Sequence, residues 1–453
     1  MKSAKGNDIV SGLSMRMFDY RGVQIADYYR AIAEHGRALF RRPMAEATGA
    51  RIEQVADKLL SNRGEASGVA LAAKLVEIWN TLDAERRLQW FTIMARQFGP
   101  DERKLDAAVE DWQRTRSPES AARLAIASEP RRQELMRRIN LAPRGTAALV
   151  SMRAELLTFL KQQPELGVVD QDFVHLLSSW FNRGFLLMSP IDWSSPAATL
   201  EKIIRYEAVH EIKGWDDLRR RLQPQDRRCF AFFHPQMPDE PLIFVEVALA
   251  EGIPNQIDGL LRDRANSISP TAADSAVFYS ISNTQAGLKG ISFGNFLIKQ
   301  VVEDLLRELP NLKTFVTLSP LPGFSRWLHG RSGGDKQTAA RIQTLAKPNW
   351  AEEDSDGALS TWLAGAAAEY LVQARDDAGR PLDPVARFHL GNGARLEQIN
   401  VNADHSERGQ QQSFGVMVNY LYDLNTIEDN HEAYANRGSM VCSRPVQRLL
   451  AAR

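Results

Sequence analysis

Residues 276–320 read AVFYSISNTQAGLKGISFGNFLIKQVVEDLLRELPNLKTFVTLSP and contain several successive patterns. The first, AVFYSIS, and the last, TFVTLSP, are rich in β-branched and aromatic residues, which is typical of strands. Between them, FGNFLIKQVVEDLLREL has the apolar spacing of an amphipathic helix, and a glycine-bearing stretch, NTQAGLKG, precedes it. Because a helix is the usual crossover between parallel strands, this segment predicts a mixed α/β sheet.

The same texture extends on both sides, from about Pro190 to the end of the chain. Two earlier β-rich runs, CFAFFHP and PLIFVEVAL, are separated by QMPDE, a turn composition that suits a hairpin. Near the end, SFGVMVNYLYDL alternates aromatic and β-branched residues and predicts a closing strand. Helical patterns occur in SPAATLEKIIRYEAV, GWDDLRRRLQ, DKQTAARIQTLA and SDGALSTWLAGAAAEYLVQA. We therefore predict a mixed α/β domain at residues 190–453.

From about Gly22 to Ser189 the chain has a helical pattern. Apolar and charged residues alternate at three- and four-residue spacing, as in VALAAKLVEIWNTL, RRLQWFTIMARQF and TAALVSMRAELLTFLKQQ. Helix starts are indicated at Asp101-Glu102 and at Ser117-Pro118-Glu119, where a capping residue precedes acidic residues. Since no strand pattern interrupts this region, we predict an all-helical bundle at residues 1–189 and a multidomain protein.

The length and the net charge of the chain limit which classes of function it can have. The 453 residues exceed the roughly 250 to 300 at which a single core stops growing, so two domains are expected. Lys plus Arg and Asp plus Glu number 56 each, which leaves no overall positive field to hold a nucleic acid. Arginine clusters within residues 131–138 and 219–221 suit solvated helix faces, with contact to ligand phosphates as the alternative.

The sequence also indicates a compartment. Cys229 and Cys442 are far apart and form no C-x-x-C pair, which suits a reducing cytoplasm. The first residues have no apolar signal-peptide core, and no run of about 18 apolar residues suggests a membrane span. The final residues, LLAAR, are not a peroxisomal address. We expect a cytoplasmic protein that neither crosses nor enters a membrane.

Common cofactor and metal signatures are missing. GRSGGDK lacks the spacing of a phosphate-wrapping P-loop, and GNGARL lacks the third glycine of a dinucleotide turn. The eight histidines include no pair at H-x-x-x-H spacing, so we predict no metal site.

Residues 290–294, GISFG, match the G-x-S-x-G pattern of a hydrolase nucleophile elbow. The elbow needs its serine at the tip of a strand, whereas here NTQAGLKG separates the strand AVFYSIS from Ser292. No oxyanion stretch of the HGGG type is present either. A hydrolase with Ser292 as nucleophile is therefore only an alternative.

The loop NTQAGLKGISFGNFLIK suits a pyrophosphate better. Unpaired N–H groups at a helix start and the helix dipole together favour a bound anion. Gly290 and Gly294 would let the backbone approach a ligand closely, and Lys289 could add a positive charge. A simple helix start with turn glycines is the alternative.

A strand, an anion-binding loop and a crossover helix within a mixed sheet resemble the CoA-binding core of the GCN5-related acetyltransferase fold. The chain is further similar to the malonyl-CoA decarboxylase family. The resemblance is carried by four blocks in order, HPQMPDEPLIFVEVAL, YSISNTQAGLKGISFGNFLIKQVVEDLL, FVTLSPLPGFSRWL and ARFHLGNGARLEQINVNADHSERGQQQSFGVMVNYLY. It extends to the N-terminal bundle and its DFVHLLSSWFNRGFL segment, and so covers most of the chain.

The resemblance implies an enzyme that converts malonyl-CoA into acetyl-CoA and CO2 without metal, cofactor or prosthetic group. It implies that the helical domain takes part in self-association, giving a homo-oligomer, and that the acetyltransferase-like domain is catalytic. Ser319 of the LSP-x-PGF block becomes the proton acceptor and His389 of the FHL-x-NGA block the proton donor. The acyl-CoA-binding loop carries over to Lys289, Gly290, Ile291, Ser292, Phe293, Gly294 and Asn295. At Ser292 and Phe293 the family varies, so backbone contacts are the main expectation there.

Decarboxylation leaves an enolate, so the site must stabilise negative charge on the thioester oxygen and protonate carbon. His389 can donate a hydrogen bond or a proton, and Ser319 can bind the carboxylate or relay the proton. Tyr422 is a candidate for orienting one of them, and Asn400 and Asp404 for bracing the region, although a structural role is the main expectation for those two. From the residues alone, Ser319-Pro320 also suits an ordinary turn, His389 a packed strand-end histidine, and Tyr422 a core residue. Another CoA-dependent enzyme, such as an acyltransferase, and a non-catalytic acyl-CoA binder remain as alternatives.

Overall fold

A computed structural model of the chain describes residues 49–61, 64–261, 267–291, 297–332, 335–347 and 349–451. The chain divides into two compact units. The first contains the residues up to Leu187 together with two short segments, Phe233–Glu240 and Gln285–Ser292. The second contains Met188–Phe232, Pro241–Thr284 and the chain from Phe293 onward.

The described part of the first unit is built from helices around an aromatic core. The rings of Trp79 and Phe91 meet edge to face with centroids 5.5 Å apart, and both side chains are buried. The helices are α1 (Gly49–Leu60), α2 (Glu65–Thr81), α3 (Ala84–Gln97), α4 (Glu102–Thr115), α5 (Pro118–Ala127), α6 (Arg131–Asn140), α7 (Gly145–Phe159) and α8 (Gly167–Trp180).

The two helix starts predicted from capping residues are confirmed. The Asp101 side chain accepts a hydrogen bond from the Lys104 N–H and begins α4. Ser117 begins α5 through a reciprocal capping box with Ser120, and Pro118 takes the first helical position. Local sequence therefore sets these helix boundaries.

The second unit is built on one mixed sheet with the order β1-β2-β3-β4-β5-β8-β6, in which β7 also pairs with β8. Strands β2, β3 and β4 form an antiparallel meander, and β5 lies parallel to β4. Strands β5, β6 and β7 are each antiparallel to β8. The strands are β1 (Leu187–Pro190), β2 (Arg227–Phe233), β3 (Ile243–Ala250), β4 (Ser275–Asn283), β5 (Thr314–Thr317), β6 (Ser319–Pro320), β7 (Arg395–Asn400) and β8 (Met417–Leu421).

Helices cover the sheet and supply its connections. Helix α12 (Leu297–Glu308) crosses from β4 to the parallel β5, as the pattern of residues 276–320 predicts. The other helices are α9 (Ala197–Tyr206), α10 (Trp215–Leu222), α11 (Asp258–Leu261), α13 (Phe324–Ser332), α14 (Lys336–Leu345), α15 (Trp350–Glu353), α16 (Ala358–Val372), α17 (Pro384–Gly391), α18 (Glu407–Ser413), α19 (Ile427–Arg437) and α20 (Arg444–Ala451). No helix within the described ranges is long and apolar enough to cross a membrane.

The predicted fold class, a helical region followed by a mixed α/β domain, is confirmed. The hairpin of β2 and β3 and the closing strand β8 lie where their sequence patterns predict them. The proposed anion-binding start of α12 lies partly in residues 292–296, outside the described residues. The assignment of self-association to residues 1–189 and of catalysis to residues 190–453 stays a prediction.

Candidate active site

Ser319 lies where the parallel strands β4 and β5 stop pairing. Their last paired residues are Phe278 and Thr317, and Ser319 begins β6 two residues later, opposite Val418 of β8. The Ser319 hydroxyl is buried and donates a hydrogen bond to the Thr317 hydroxyl oxygen at 2.9 Å. The same Thr317 oxygen accepts the Tyr420 N–H at 3.1 Å, which ties the serine to the backbone of β8.

His389 reaches this serine from the last turn of α17, not from a strand end. Its Nε2 atom lies 3.2 Å from Ser319 Oγ, and the imidazole is buried. The ring stacks on Tyr420 with centroids 4.6 Å apart and planes tilted by 23°. These contacts hold the imidazole in one orientation.

Asp383 sets the start of the helix that carries His389. Its carboxylate accepts the N–H groups of Val385 at 2.9 Å and Ala386 at 2.8 Å, and Pro384 follows at the first helical position. The Tyr370 hydroxyl also donates to Asp383, at 3.2 Å. Burial raises the pKa of this carboxyl, and these hydrogen bonds offset only part of that rise.

Two glycines of the sequence blocks allow close approaches around the site. A Cβ atom at Gly323, in the LSP-x-PGF block, would lie 2.5 Å from the Tyr370 hydroxyl. Gly393, which follows the His389 helix, has φ of +80°, and a Cβ there would lie 2.0 Å from the Ile427 carbonyl oxygen. Backbone conformation and space therefore both require glycine at residue 393.

Tyr422 completes a continuous chain of hydrogen bonds. Its hydroxyl lies 2.7 Å from His389 Nδ1, and its N–H donates to the Phe315 carbonyl at 2.8 Å. The chain therefore runs from Tyr422 through His389 and Ser319 to Thr317. The structure brings together the three residues predicted as catalytic.

The hydrogen-bonded side chains of Thr317, Ser319, His389 and Tyr422 carry no charge at pH 7. Burial lowers the pKa of His389 to about 3, so its imidazole carries no charge. Burial also raises the pKa of Tyr422 well above its usual range, so the phenol keeps its proton. Among the described residues, His389 Nδ1 is the only hydrogen-bond partner of the Tyr422 hydroxyl. With the Tyr422 hydroxyl donating to Nδ1, His389 carries its hydrogen on Nε2, toward Ser319.

The described residues of the predicted substrate loop, Lys289, Gly290 and Ile291, lie in the first unit. Lys289 and Gly290 are exposed and Ile291 is buried, directly after a 3-10 turn at Ala286–Leu288. Gly290 has φ of +80°, which favours glycine. The remaining predicted loop residues, Ser292, Phe293, Gly294 and Asn295, lie outside the described residues. The described ranges contain no group of three or more His, Cys, Asp or Glu side chains that could hold a metal ion.

Family models match most of the chain. The model of the malonyl-CoA decarboxylase C-terminal domain matches residues 184–453, and the model of the N-terminal domain matches residues 98–181. The chain belongs to the malonyl-CoA decarboxylase family. The resemblance carried by the four sequence blocks is therefore confirmed.

Solved and curated relatives agree with this family. The crystal structure of malonyl-CoA decarboxylase from Rhodopseudomonas palustris has a TM-score of 0.84 and 53% identity, covering 90% of this chain and 100% of that chain. The corresponding structure from Agrobacterium vitis has a TM-score of 0.83 and 51% identity, covering 88% and 99%. The mitochondrial malonyl-CoA decarboxylase of Mus musculus is 36% identical over 366 residues, 73% of each chain.

Two residues that contact the site of this malonyl-CoA decarboxylase family member were not identified from the sequence: Thr317, which bonds to Ser319, and Tyr420, which stacks on His389. Thr317 and Tyr420 each precede a predicted site residue by two positions. In a strand, residues two positions apart share a face, so this spacing was the available signal. The expected brace Asn400 acts indirectly, because its amide donates to Asn419 at 2.5 Å and Asn419 donates to the Thr317 carbonyl at 2.8 Å.

Asp404, the other expected brace, has a local role. Its side chain accepts the Ser406 N–H at 2.9 Å beside the start of α18. A Cβ at Gly409 would lie 2.3 Å from the Asp404 Cγ, so the helix packs directly on this carboxylate. Its contacts are with this turn and helix, as expected of a structural residue.

Proposed function

We propose that the chain converts malonyl-CoA into acetyl-CoA and CO2, with Ser319, His389 and Tyr422 as its catalytic group. Family membership supports the reaction. The observation that carries the residue assignment is the buried contact of 3.2 Å between Ser319 Oγ and His389 Nε2, with Tyr422 on the opposite ring nitrogen. Lys289, Gly290, Ile291, Ser292, Phe293, Gly294 and Asn295 would hold the CoA portion.

The bond between the carboxylate and C2 of the malonyl group breaks in the first step. Its electron pair moves onto the thioester oxygen, which gives an enolate and releases CO2. A donor aimed at that oxygen stabilises the charge as it develops. The hydrogen on His389 Nε2 is suited to this role once substrate replaces the contact with Ser319.

The second step transfers a proton to C2, so that each turnover consumes one proton. Free His389 is neutral, because its pKa is about 3. A malonyl carboxylate beside the imidazole would raise this pKa, since opposite charges stabilise each other. His389 would thus gain a proton as substrate binds and deliver it to carbon, while the Ser319 hydroxyl binds the substrate carboxylate.

The direct test is incubation of the purified full chain with malonyl-CoA alone, without metal or co-substrate, followed by mass spectrometry. The proposal expects catalytic formation of acetyl-CoA. Free CoA with malonate would indicate a thioester hydrolase, and labelling of Ser292 by a fluorophosphonate would support that reading. Unchanged malonyl-CoA would point to an acyltransferase without its acceptor or to a non-catalytic binder.

Assembly, location and selectivity are further parts of the proposal. A homo-oligomer is expected, and light scattering that finds only monomer would contradict it. A cytoplasmic location stays a prediction, and the mouse relative is described as mitochondrial. Discrimination against methylmalonyl-CoA depends on pocket shape, because one methyl group is worth only about 1 to 3 kcal/mol.

A further inference from the structure

Arg153 of α7 is a buried arginine of the helical unit. Its side chain is 3% exposed, and its Nε donates to the Asp170 carboxylate of α8 at 2.8 Å. Burying a guanidinium is costly unless its charge and its donors are all matched. The ion pair with Asp170 matches the charge and one donor, so the remaining donors need other partners.

Those partners are main-chain carbonyls of the loop that follows β4. One terminal nitrogen of Arg153 donates to the Gly287 carbonyl at 2.7 Å and to the Lys289 carbonyl at 2.8 Å. Both acceptors belong to the segment that groups with the helical unit. Arg153 therefore fixes two peptide groups on either side of Leu288.

Close packing fixes the same loop at a second point of α7. A Cβ atom at Gly287 would lie 1.9 Å from the Val150 carbonyl oxygen, so only glycine lets the loop lie directly on the helix. Val150 and Arg153 are three residues apart in α7 and hence lie on one face of it. The helix thus holds the loop by one steric and one ionic contact.

The bond to Lys289 also orients the next N–H group. In a trans peptide the carbonyl and the following N–H point to opposite sides, so the Gly290 N–H points away from Arg153. The N–H groups of Leu288, Lys289 and Ile291 bond within the turn, at 2.9, 3.1 and 3.0 Å. In the described part of the chain the Gly290 N–H has no such acceptor.

We propose that Arg153 is a positioning residue for substrate binding: it holds the loop so that the Gly290 N–H faces a phosphate oxygen of the CoA thioester. This inference rests on the proposed function, because it takes the loop as the CoA-binding segment. Among the described residues, the Arg153 guanidinium bonds to Asp170, Gly287 and Lys289, and we assign it a positioning role, not a catalytic one. Through the contact of Arg153 with the loop, the helical unit contributes to the affinity for substrate.

The test compares Arg153→Met with Arg132→Met in the full-length protein. Arg132 forms a similar buried ion pair with Asp172 in the same unit, but none of its bonds goes to the loop. Arg153→Met should raise KM for malonyl-CoA by about 10-fold to 100-fold while kcat changes less than about threefold. Arg132→Met should leave KM unchanged. Arg153→Lys, which keeps the charge but loses the forked geometry, should recover part of the affinity.

Direct binding keeps this inference separate from the proposed reaction. Calorimetric titration with CoA should show the same loss of affinity in Arg153→Met, whether or not the wild type decarboxylates malonyl-CoA. Gly287→Ala should reproduce that loss through the steric contact if Arg153→Met does not fold. Equal CoA affinity in the wild type and the folded Arg153 variants would overturn the inference, as would a fall in kcat at unchanged KM.

Discussion

Replacing Tyr422 by phenylalanine removes one hydroxyl and leaves the rest of the side chain. The ring keeps its edge-to-face contact with Phe278, whose centroid lies 6.3 Å away. The lost group is the partner of His389 Nδ1 at 2.7 Å, so a buried nitrogen is left unpaired. Such a loss costs about 1–3 kcal/mol. If the whole of this energy is lost from the transition state, kcat falls by about 5-fold to 150-fold.

The assay is steady-state release of acetyl-CoA from malonyl-CoA, with kcat and KM determined separately. Tyr279→Phe is the matched control, because Tyr279 is equally buried and its hydroxyl has no hydrogen-bond partner among the described residues. That variant should keep wild-type kcat, with stability equal or slightly higher, since an unpaired buried hydroxyl is unfavourable. A Tyr422→Phe enzyme with kcat within twofold of the wild type would refute the role assigned to the phenol.

Three further results are expected. His389→Ala should lower kcat by about 100-fold to 10,000-fold, while circular dichroism shows a nearly unchanged fold. Near-normal turnover in this variant would show that His389 takes no part in the mechanism. Thr317→Val leaves the Tyr420 N–H unpaired, so it should lower the free energy of unfolding by about 1–3 kcal/mol and also lower kcat. Thr317→Ser keeps the hydroxyl and should have the stability and kcat of the wild type. A fully active Thr317→Val variant would contradict the role of this hydroxyl. The pKa of His389 is about 3 when folded and about 6.5 when unfolded, so its contribution to stability is complete above pH 6.5 and is lost as pH falls toward 3. Denaturant unfolding at pH 7 and pH 5 should therefore show a smaller drop in His389→Gln than in wild type, and equal drops would contradict this linkage.

The sequence predicts the fold best where local patterns and tertiary contacts agree. The strand, crossover helix and strand of residues 276–320 are found because buried strands and an amphipathic helix have clear periods. Strand β7, RLEQIN, is not predicted from sequence. It has only two apolar residues, Leu396 and Ile399, and its register with β8 shifts between Leu396 and Gln398, which breaks the alternation.

The site is harder to predict, because its geometry is entirely long-range. Ser319 and His389 are 70 residues apart, and His389 and Tyr422 are 33 apart. The residues alone also suit a turn, a packed histidine and a core tyrosine, so the family resemblance was needed to choose among these readings. Even then, the helical position of His389 and the link through Thr317 depend on how β5, β6 and β8 meet.

The neutrality of the hydrogen-bonded chain has a consequence for catalysis. Before substrate binds, Thr317, Ser319, His389 and Tyr422 are all uncharged and buried at pH 7, so none of them offers a counter-charge to an arriving carboxylate. Loss of CO2 moves the negative charge onto the thioester oxygen, where a fixed N–H donor is stronger than it would be in water. The depressed pKa of His389 ties proton uptake to the substrate, because the imidazole gains charge only beside the malonyl carboxylate. The proton gained there is the one that C2 receives after CO2 has left.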